Sequence, residues 1–295
     1  MYSYVDLRHN LKKLVSELEE DYKTGFSFAP TSIRLLSNSS GIEITKDLED
    51  KLKEVLFRRS DNIYYPIDVV AKANDRTYLL EQSEKALKSY GCFDLDRLYQ
   101  ICSGNLNLSC LRSIQDFIDY FEFINGERVR CVLKDGFHIA RYKGQINLIN
   151  IFSEIAQKIT EQTRRDFYGV INMEDLLETY PLFSEKLISD IIKNYSNQLI
   201  ETNINGITCF KVLEDSGLPD NFSEILSDTI DKLDRLEIPV SDQILNAVLS
   251  YEMNVNFNND YEIPDLNEFR RIVKIWYKKS ETRKWKSRVF VEVVN

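Results

Sequence analysis

Apolar residues recur at helical spacing along most of this 295-residue chain, and this pattern most restricts its fold. Between Leu7 and Leu18, for example, apolar residues lie three or four positions apart and charged residues fill many of the gaps. Such a stripe predicts an amphipathic helix that packs one face on a core. The 10 glycines and 6 prolines are too few for a sandwich or barrel, which needs a turn about every 8–12 residues. We therefore expect a mainly helical protein.

The N-terminal quarter after the first helix gives weaker signals. Thr24 to Gly41 contains Pro30 and an Asn-Ser-Ser-Gly run, and is predicted to be rich in turns. Lys46 to Phe57 has helical spacing, with Thr45 in position to cap it. Ile63 to Val70 is interrupted by Pro66, which predicts an edge strand.

The middle of the chain predicts two short helices followed by a hairpin. Asp94 can cap a helix that ends near Gly104, and Ser109 can begin a second helix. Strands are then predicted from Val129 to Leu133 and from Gly136 to Tyr142.

A similar order recurs downstream, which indicates an internal repeat. One helix ends at Pro181, Ser184 begins the next, and a strand is predicted from Ile207 to Leu213. The triplets Ile124-Asn125-Gly126 and Ile204-Asn205-Gly206 lie 80 residues apart, and Asn-Gly favours tight hairpins. A third candidate copy runs from helices near 222–233 and 241–249 to a closing strand at 285–294.

An order of short helices followed by a two-stranded hairpin resembles the winged-helix domain, and its recurrence indicates tandem units. The resemblance implies duplex DNA binding, with a helix in the major groove and the hairpin wing on the backbone, or protein contact through the same surface. The expected fold is mainly α with small β-hairpins, organised as tandem winged-helix-like units. The predicted segments are an N-terminal helical unit at 1–75, winged-helix-like units at 76–165 and 166–235, and a C-terminal basic helix and wing at 236–295.

Charge is segregated along the chain. The net charge of −9 argues against indiscriminate nucleic-acid binding, because phosphate neutralisation supplies most of that affinity. Nine basic residues and one acid nevertheless lie between positions 270 and 288. Asp265 and Glu268 have the spacing of a reciprocal capping box that begins a helix there. The candidate nucleic-acid-binding residues are Arg270, Arg271, Lys274, Lys278, Lys279, Arg283, Lys284, Lys286 and Arg288.

Helical spacing places Arg270, Lys274 and Lys278 on one predicted face, while Lys284 and Lys286 alternate to one side of the predicted strand. Three interpretations stay open for this basic surface: nucleic-acid binding, docking on an acidic protein surface, and a solvated face. The local charge favours the first.

A second basic cluster lies on the first predicted hairpin. Arg128 and Arg130 share one face of its first strand and can contact a phosphate backbone. The alternative is an ordinary exposed hairpin face, since the neighbouring helices carry many acids.

Catalytic and metal-binding motifs are not recognisable in the sequence. His9 and His138 are its two histidines, and it contains no Cys-x-x-Cys pair and no glycine-rich phosphate loop. We therefore predict no catalytic residue, no metal and no cofactor; a metal-dependent nuclease built from dispersed carboxylates remains an alternative.

The cellular setting is predicted from cysteines and hydropathy. Five cysteines without paired spacing indicate free thiols in a reducing compartment. No apolar run approaches the roughly 20 residues that cross a bilayer, and the first residues lack a secretion signal. We expect a cytoplasmic protein with no membrane contact. The leading hypothesis is a DNA-binding regulatory or accessory protein. The alternative is a non-enzymatic acidic adaptor that bridges protein partners in a nucleic-acid-processing complex. The expected partners are DNA, another protein or a second copy of this chain.

Overall fold

A computed structural model describes residues 4–144, 147–213 and 217–279. The chain divides into two compact units: unit 1 comprises 1–146 and 182–184, and unit 2 comprises 147–181 and 185–295. Helices predominate among the described residues, and the strands form small antiparallel sheets of two or three strands. The expectation of a mainly helical fold with small hairpins is confirmed, whereas the division into four segments stays a prediction.

Unit 1 begins with three helices around one apolar core. Leu14, Leu18, Leu36, Leu48 and Leu52 are buried in it. The helices are α1 (Tyr4–Asp21), α2 (Pro30–Ser40) and α3 (Lys46–Val55).

Helix α2 corrects the prediction of a turn-rich stretch. Pro30 occupies its first turn, where a missing N–H costs nothing, and Gly41 ends it with a φ of +66°. Both residues therefore bound a helix instead of breaking one. The predicted cap of α3 is confirmed, because Thr45 Oγ1 accepts the Leu48 N–H at 3.4 Å.

The predicted edge strand over residues 63–70 is mostly wrong. Within this stretch only β2 (Tyr64–Tyr65) is a strand, paired with β1 (Phe57–Arg58), and Pro66 directly precedes the short helix α4 (Ile67–Val70). Arg59, between the two strands, is 3% exposed. Its guanidinium donates to the Ser109 carbonyl at 3.1 Å and pairs with Asp61 at 2.6 Å, so it ties this hairpin to the remainder of unit 1.

The first repeat, residues 73–142, completes unit 1. Phe93, Phe117 and Phe121 are buried between its sheet and helices. The sheet is antiparallel in the order β3-β5-β4, so the last strand lies in the middle. The elements are α5 (Ala73–Tyr90), β3 (Cys92–Asp94), α6 (Leu95–Cys102), α7 (Ile114–Asn125), β4 (Val129–Lys134) and β5 (Phe137–Tyr142).

The second repeat, residues 148–212, has the same order of elements in unit 2. Its sheet is antiparallel in the order β6-β8-β7, again with the last strand in the middle. The chain therefore contains two copies of one topology. The elements are α8 (Leu148–Asp166), β6 (Val170–Asn172), α9 (Met173–Thr179), α10 (Glu185–Tyr195), β7 (Leu199–Ile204) and β8 (Ile207–Val212).

The hairpin turns show that the two Ile-Asn-Gly triplets are not equivalent. Asn205 and Gly206 form the β7–β8 turn with φ of +55° and +84°, as the sequence predicts. In the first repeat the same geometry belongs to Asp135 and Gly136, at +52° and +85°, whereas Asn125 ends α7. Matching the triplets was therefore wrong: Asp-Gly, another strong signal for a hairpin turn, marks the equivalent turn.

The helix caps of the first repeat follow the sequence only in part. Asp94 caps α6 as predicted, accepting the Asp96 N–H at 3.0 Å. Helix α7 begins after Ser113, which accepts the Asp116 N–H at 3.1 Å. The prediction that Ser109 begins this helix is wrong, because its hydroxyl donates to Asn107 in the preceding turn.

The C-terminal helices of unit 2 pack around a second core. Phe222, Leu249, Phe257, Phe269 and Ile272 are buried in it. The helices predicted near 222–233, 241–249 and 265 onward are present, and the predicted closing strand at 285–294 lies outside the described residues. The elements are α11 (Phe222–Arg235), α12 (Asp242–Met253), α13 (Phe257–Asp260) and α14 (Leu266–Lys279).

We predict that Gly136→Ala and Gly206→Ala each lower the free energy of unfolding by about 1 kcal/mol, since both glycines hold a positive φ that penalises a Cβ. A Cβ at either position meets no atom within 4 Å, so the effect isolates backbone strain. Urea denaturation measures it. Gly104→Ala, at an equally open position without positive φ, is the control and should be neutral or slightly stabilising; equal losses in all three variants would contradict the prediction.

Candidate nucleic-acid interface

The start of α14 carries the first half of the predicted capping box. Asp265 Oδ1 accepts the N–H groups of Asn267 and Glu268, both at 2.8 Å. The reciprocal half is not formed: the Glu268 carboxylate instead accepts the backbone N–H of Glu201, on β7, at 2.8 Å. A residue predicted to serve its own helix therefore joins α14 to the second repeat.

Arg271 is enclosed among the same elements. Its side chain is 12% exposed and pairs with Glu268 at 3.0 Å. It also donates to the carbonyl oxygens of Leu199 at 2.6 Å and Lys193 at 3.2 Å. These carbonyls belong to the start of β7 and the last turn of α10. Its hydrogen-bonding groups are thus used inside unit 2.

Burial is the main influence on the Glu268 carboxyl group, which is 3% exposed. Burial raises the pKa of Glu268, and the charge of Arg271 opposes this without cancelling it. The carboxylate thus depends on its two donors to stay ionised in an apolar surrounding.

Arg270 and Lys274 lie one helical turn apart on the more exposed side of α14. Arg270 forms an ion pair with Asp242, at the start of α12, and keeps a side-chain exposure of 40%. Lys274 is partly exposed, and within the described ranges no ion pair involves it. The predicted basic stripe is therefore partly neutralised at its first position and open at its second.

These residues border a cavity that we call the α10–α14 cleft. Its volume is about 340 Å³. Four basic side chains and one buried acid line it, together with three asparagine amides, Ser196 and Ile275. The charged and amide residues are Lys193, Asn194, Asn197, Asn267, Glu268, Arg270, Arg271 and Lys274.

A second polar cavity of about 370 Å³ adjoins the cleft, because Ser196 and Asn197 line both. Arg164 on α8, Gln157 and Gln198 contribute further donors to it. Cations and amides therefore lie around the turn between α10 and β7, beside the acid Glu161. Cations and amides both donate to phosphate oxygens in nucleic-acid complexes.

Lys193 and Arg164 were missed by the sequence analysis. They lie 77 and 106 residues before Arg270, in helices of mixed charge. No local spacing links them to the C-terminal basic residues, and only the packing of α14 against the second repeat brings Lys193 and Arg270 to one cleft.

The remaining C-terminal candidates are placed only in part. Lys278 and Lys279 belong to the last turn of α14, and only their backbone is described. Arg283, Lys284, Lys286 and Arg288 lie outside the described residues. Their role in binding stays a prediction.

The basic hairpin of the first repeat is present as predicted. Arg128 directly precedes β4, and both it and Arg130 are exposed. Arg130 lies directly opposite Arg141 of β5, a like-charge pair that raises the local positive potential. Lys134 pairs with Asp135 at 2.6 Å, so the basic character is concentrated away from the turn.

The third helix differs in charge between the repeats. Helix α7 contains three acids and no lysine or arginine, whereas α10 contains two lysines, Lys186 and Lys193, and two acids, Glu185 and Asp190. The same position in the topology is therefore acidic in the first repeat and of balanced charge in the second.

The described residues also define the environment of the histidine and thiol groups. His138 Nδ1 lies 3.0 Å from Asp96 Oδ2. All five cysteines are free, and burial raises the pKa of Cys92 to about 12, which leaves it unreactive at neutral pH. Within the described ranges, no group of three or more potential ligand side chains can hold a metal ion, and none of the helices has the length and hydropathy to cross a bilayer.

Comparison with known proteins adds no family assignment. No protein-family model matches the chain, and no curated protein is significantly similar to it.

We predict that Arg271→Met lowers the free energy of unfolding by about 3–5 kcal/mol, because it leaves the buried Glu268 carboxylate without its cation. Arg270→Met is the matched control, and should cost no more than about 1 kcal/mol because its ion pair is more exposed. Urea denaturation at neutral pH compares the two. Similar losses of unfolding free energy in both variants would show that Arg271 contributes no more to stability than the exposed Arg270 does.

A second prediction concerns pH. The pKa of Glu268 is raised above 4.5 in the folded protein, so the folded state binds this proton more tightly than the unfolded state does. The stability that proton binding contributes is therefore lost as pH rises through the raised pKa. The wild type should therefore lose stability relative to Glu268→Gln as pH is raised from about 4.5 towards neutrality. Parallel urea titrations measure the difference. A difference that is constant with pH, or that grows in favour of the wild type, would contradict this sign.

Proposed function

We propose that the chain is a non-enzymatic, DNA-binding regulatory or accessory protein with two winged-helix-like repeats. In this proposal the second repeat and α14 contact the phosphate backbone. The repeated order of helix, strand, two helices and hairpin supports the winged-helix resemblance, which implies either DNA or protein binding.

The α10–α14 cleft is the observation that carries this proposal. Lys193, Arg270 and Lys274 line it beside the amides of Asn194 and Asn197. Phosphate oxygens accept hydrogen bonds from both groups, and such contacts position a protein on nucleic acid without reading its sequence. The cleft also borders α10, the third helix of its repeat, which is the element that enters the major groove in helix-turn-helix relatives.

Existing ion pairs do not prevent this binding. Lys193 lies 2.6 Å from a Glu201 carboxylate oxygen, and Arg270 pairs with Asp242. Both cations keep side-chain exposures of at least 40% in these pairs. Ion pairs near the surface contribute about 1 kcal/mol or less, so a phosphate can share the cation with its acid partner. Lys274 supplies a cation without a described ion pair.

An adaptor role for the first repeat is the second proposal. Helix α7 contains no lysine or arginine, and its acids Asp119 and Glu122 are half-buried while Asp116 is buried. This helix therefore offers a phosphate backbone no cation, and its partly exposed acids repel one. The first repeat is therefore better suited to a protein partner, while its hairpin residues Arg128 and Arg130 stay candidates for auxiliary phosphate contacts.

We predict that Lys193→Ala combined with Lys274→Ala weakens binding of a labelled duplex of about 20 base pairs and lowers the slope of log affinity against log salt by about 2, since each phosphate contact contributes about 0.9. Fluorescence anisotropy between about 50 and 200 mM KCl measures both effects.

The matched control combines Lys46→Ala with Lys51→Ala, which removes two exposed cations from α3. This variant should retain the wild-type slope. Absence of binding by the wild type at low salt would refute the DNA proposal and leave the adaptor role; equal losses in the two variants would show that the cleft is not the binding surface.

A further inference from the structure

A groove in the first repeat lies between α5 and the junction of α7 with β4. Its volume is about 930 Å³. Leu80, Phe123 and Ile124 are half-buried in its wall, and Val129 is buried beside them. A ligand that covers half-buried apolar side chains in one groove removes apolar surface from water, and this stabilises the complex.

The two walls run in the same direction, which gives the groove two distinct ends. Near the start of α5, Arg76 lies within electrostatic reach of Tyr120 on α7. Further along α5, Glu84 accepts a hydrogen bond from the Tyr142 hydroxyl at 3.3 Å, and Tyr142 pairs with Val129. The apolar residues of α7 therefore lie toward Leu80, and Arg128 lies toward the last turns of α5.

The second end of the groove is basic. Lys85, Lys88 and Arg128 line it and are exposed. Among the described side chains at this end is the acid Glu84, which is already engaged by Lys88 at 3.1 Å and by Tyr142. Glu81 lies one turn before Lys85, nearer the apolar end. The groove therefore combines an apolar floor with a positive end.

We propose that this groove binds a segment of a partner protein in which apolar side chains are followed by carboxylates. The apolar side chains would cover Leu80, Phe123 and Ile124, and the carboxylates would meet Lys85 and Arg128. Charge complementarity then fixes the direction of the bound segment. The inference rests on the proposed adaptor role of the first repeat and is independent of DNA binding by the second.

The dimensions also favour a peptide. A volume of about 930 Å³ is at the upper limit of small-molecule pockets. One face of an amphipathic helix, with apolar residues three or four positions apart, is a common occupant of an apolar groove between helices.

Panning a displayed library of random peptides about 16 residues long, enough for about 24 Å of helix, on the immobilised full-length protein tests this proposal. The wild type should enrich peptides with two or more apolar residues followed by Asp or Glu. Ile124→Glu should reduce their retention at least about tenfold. Leu133→Glu, at a 69% exposed position on β4 of the same repeat, is the matched control and should leave retention unchanged.

Lys85→Glu combined with Arg128→Glu provides a second variant that leaves the apolar floor intact. It should lose the acidic peptides and enrich basic ones. Retention that survives both this variant and Ile124→Glu would overturn the groove assignment while leaving the adaptor role standing. Enrichment of no such peptides would overturn both, and wild-type self-association that Ile124→Glu abolishes would identify a second copy of this chain as the occupant and refute the proposal.

Discussion

The buried ion pair between Arg271 and Glu268 determines how α14 is held in unit 2. The Glu268 carboxylate accepts a hydrogen bond from the Glu201 N–H, and the Arg271 guanidinium donates to carbonyls at the end of α10 and the start of β7. Two charges this enclosed are tolerated only where geometry satisfies their remaining hydrogen bonds. The pair therefore holds α14 in place, because a shift of the helix would separate the Arg271 guanidinium from the carbonyls of Leu199 and Lys193 and the Glu268 carboxylate from the Glu201 N–H.

This fixed position also determines which cations are available to a ligand. With Arg271 directed inward, Arg270 and Lys274 lie one turn apart at the edge of α10, where Lys193 and the amides of the following turn complete the cleft. One arginine of α14 is thus buried and stabilises the fold, while its neighbours contribute positive charge to the surface. A count of basic residues along the sequence overstates the positive charge of the surface, because it includes the buried Arg271.

The features predicted correctly from the sequence depend on residues close together in the chain. Thr45 and Asp94 cap helices through amides two or three positions away, and Asn205-Gly206 forms a two-residue turn. The wrong predictions involve competition between equally plausible local signals, as between Ser109 and Ser113. The inward role of Arg271 was beyond local reasoning because its carbonyl partners lie 72 and 78 residues earlier.

The two repeats share a topology but differ in the charge of their surfaces. Each places its last strand in the middle of a three-stranded sheet, yet α7 carries only acids among its charged residues whereas α10 carries two lysines and two acids. The apolar residues that define the fold face the core in both, so the exposed positions of the third helix are free to diverge in charge. Because the chain outside positions 270–288 is strongly acidic, a polyanion is repelled from most of its surface, and this repulsion would direct its approach toward the few basic surfaces that remain.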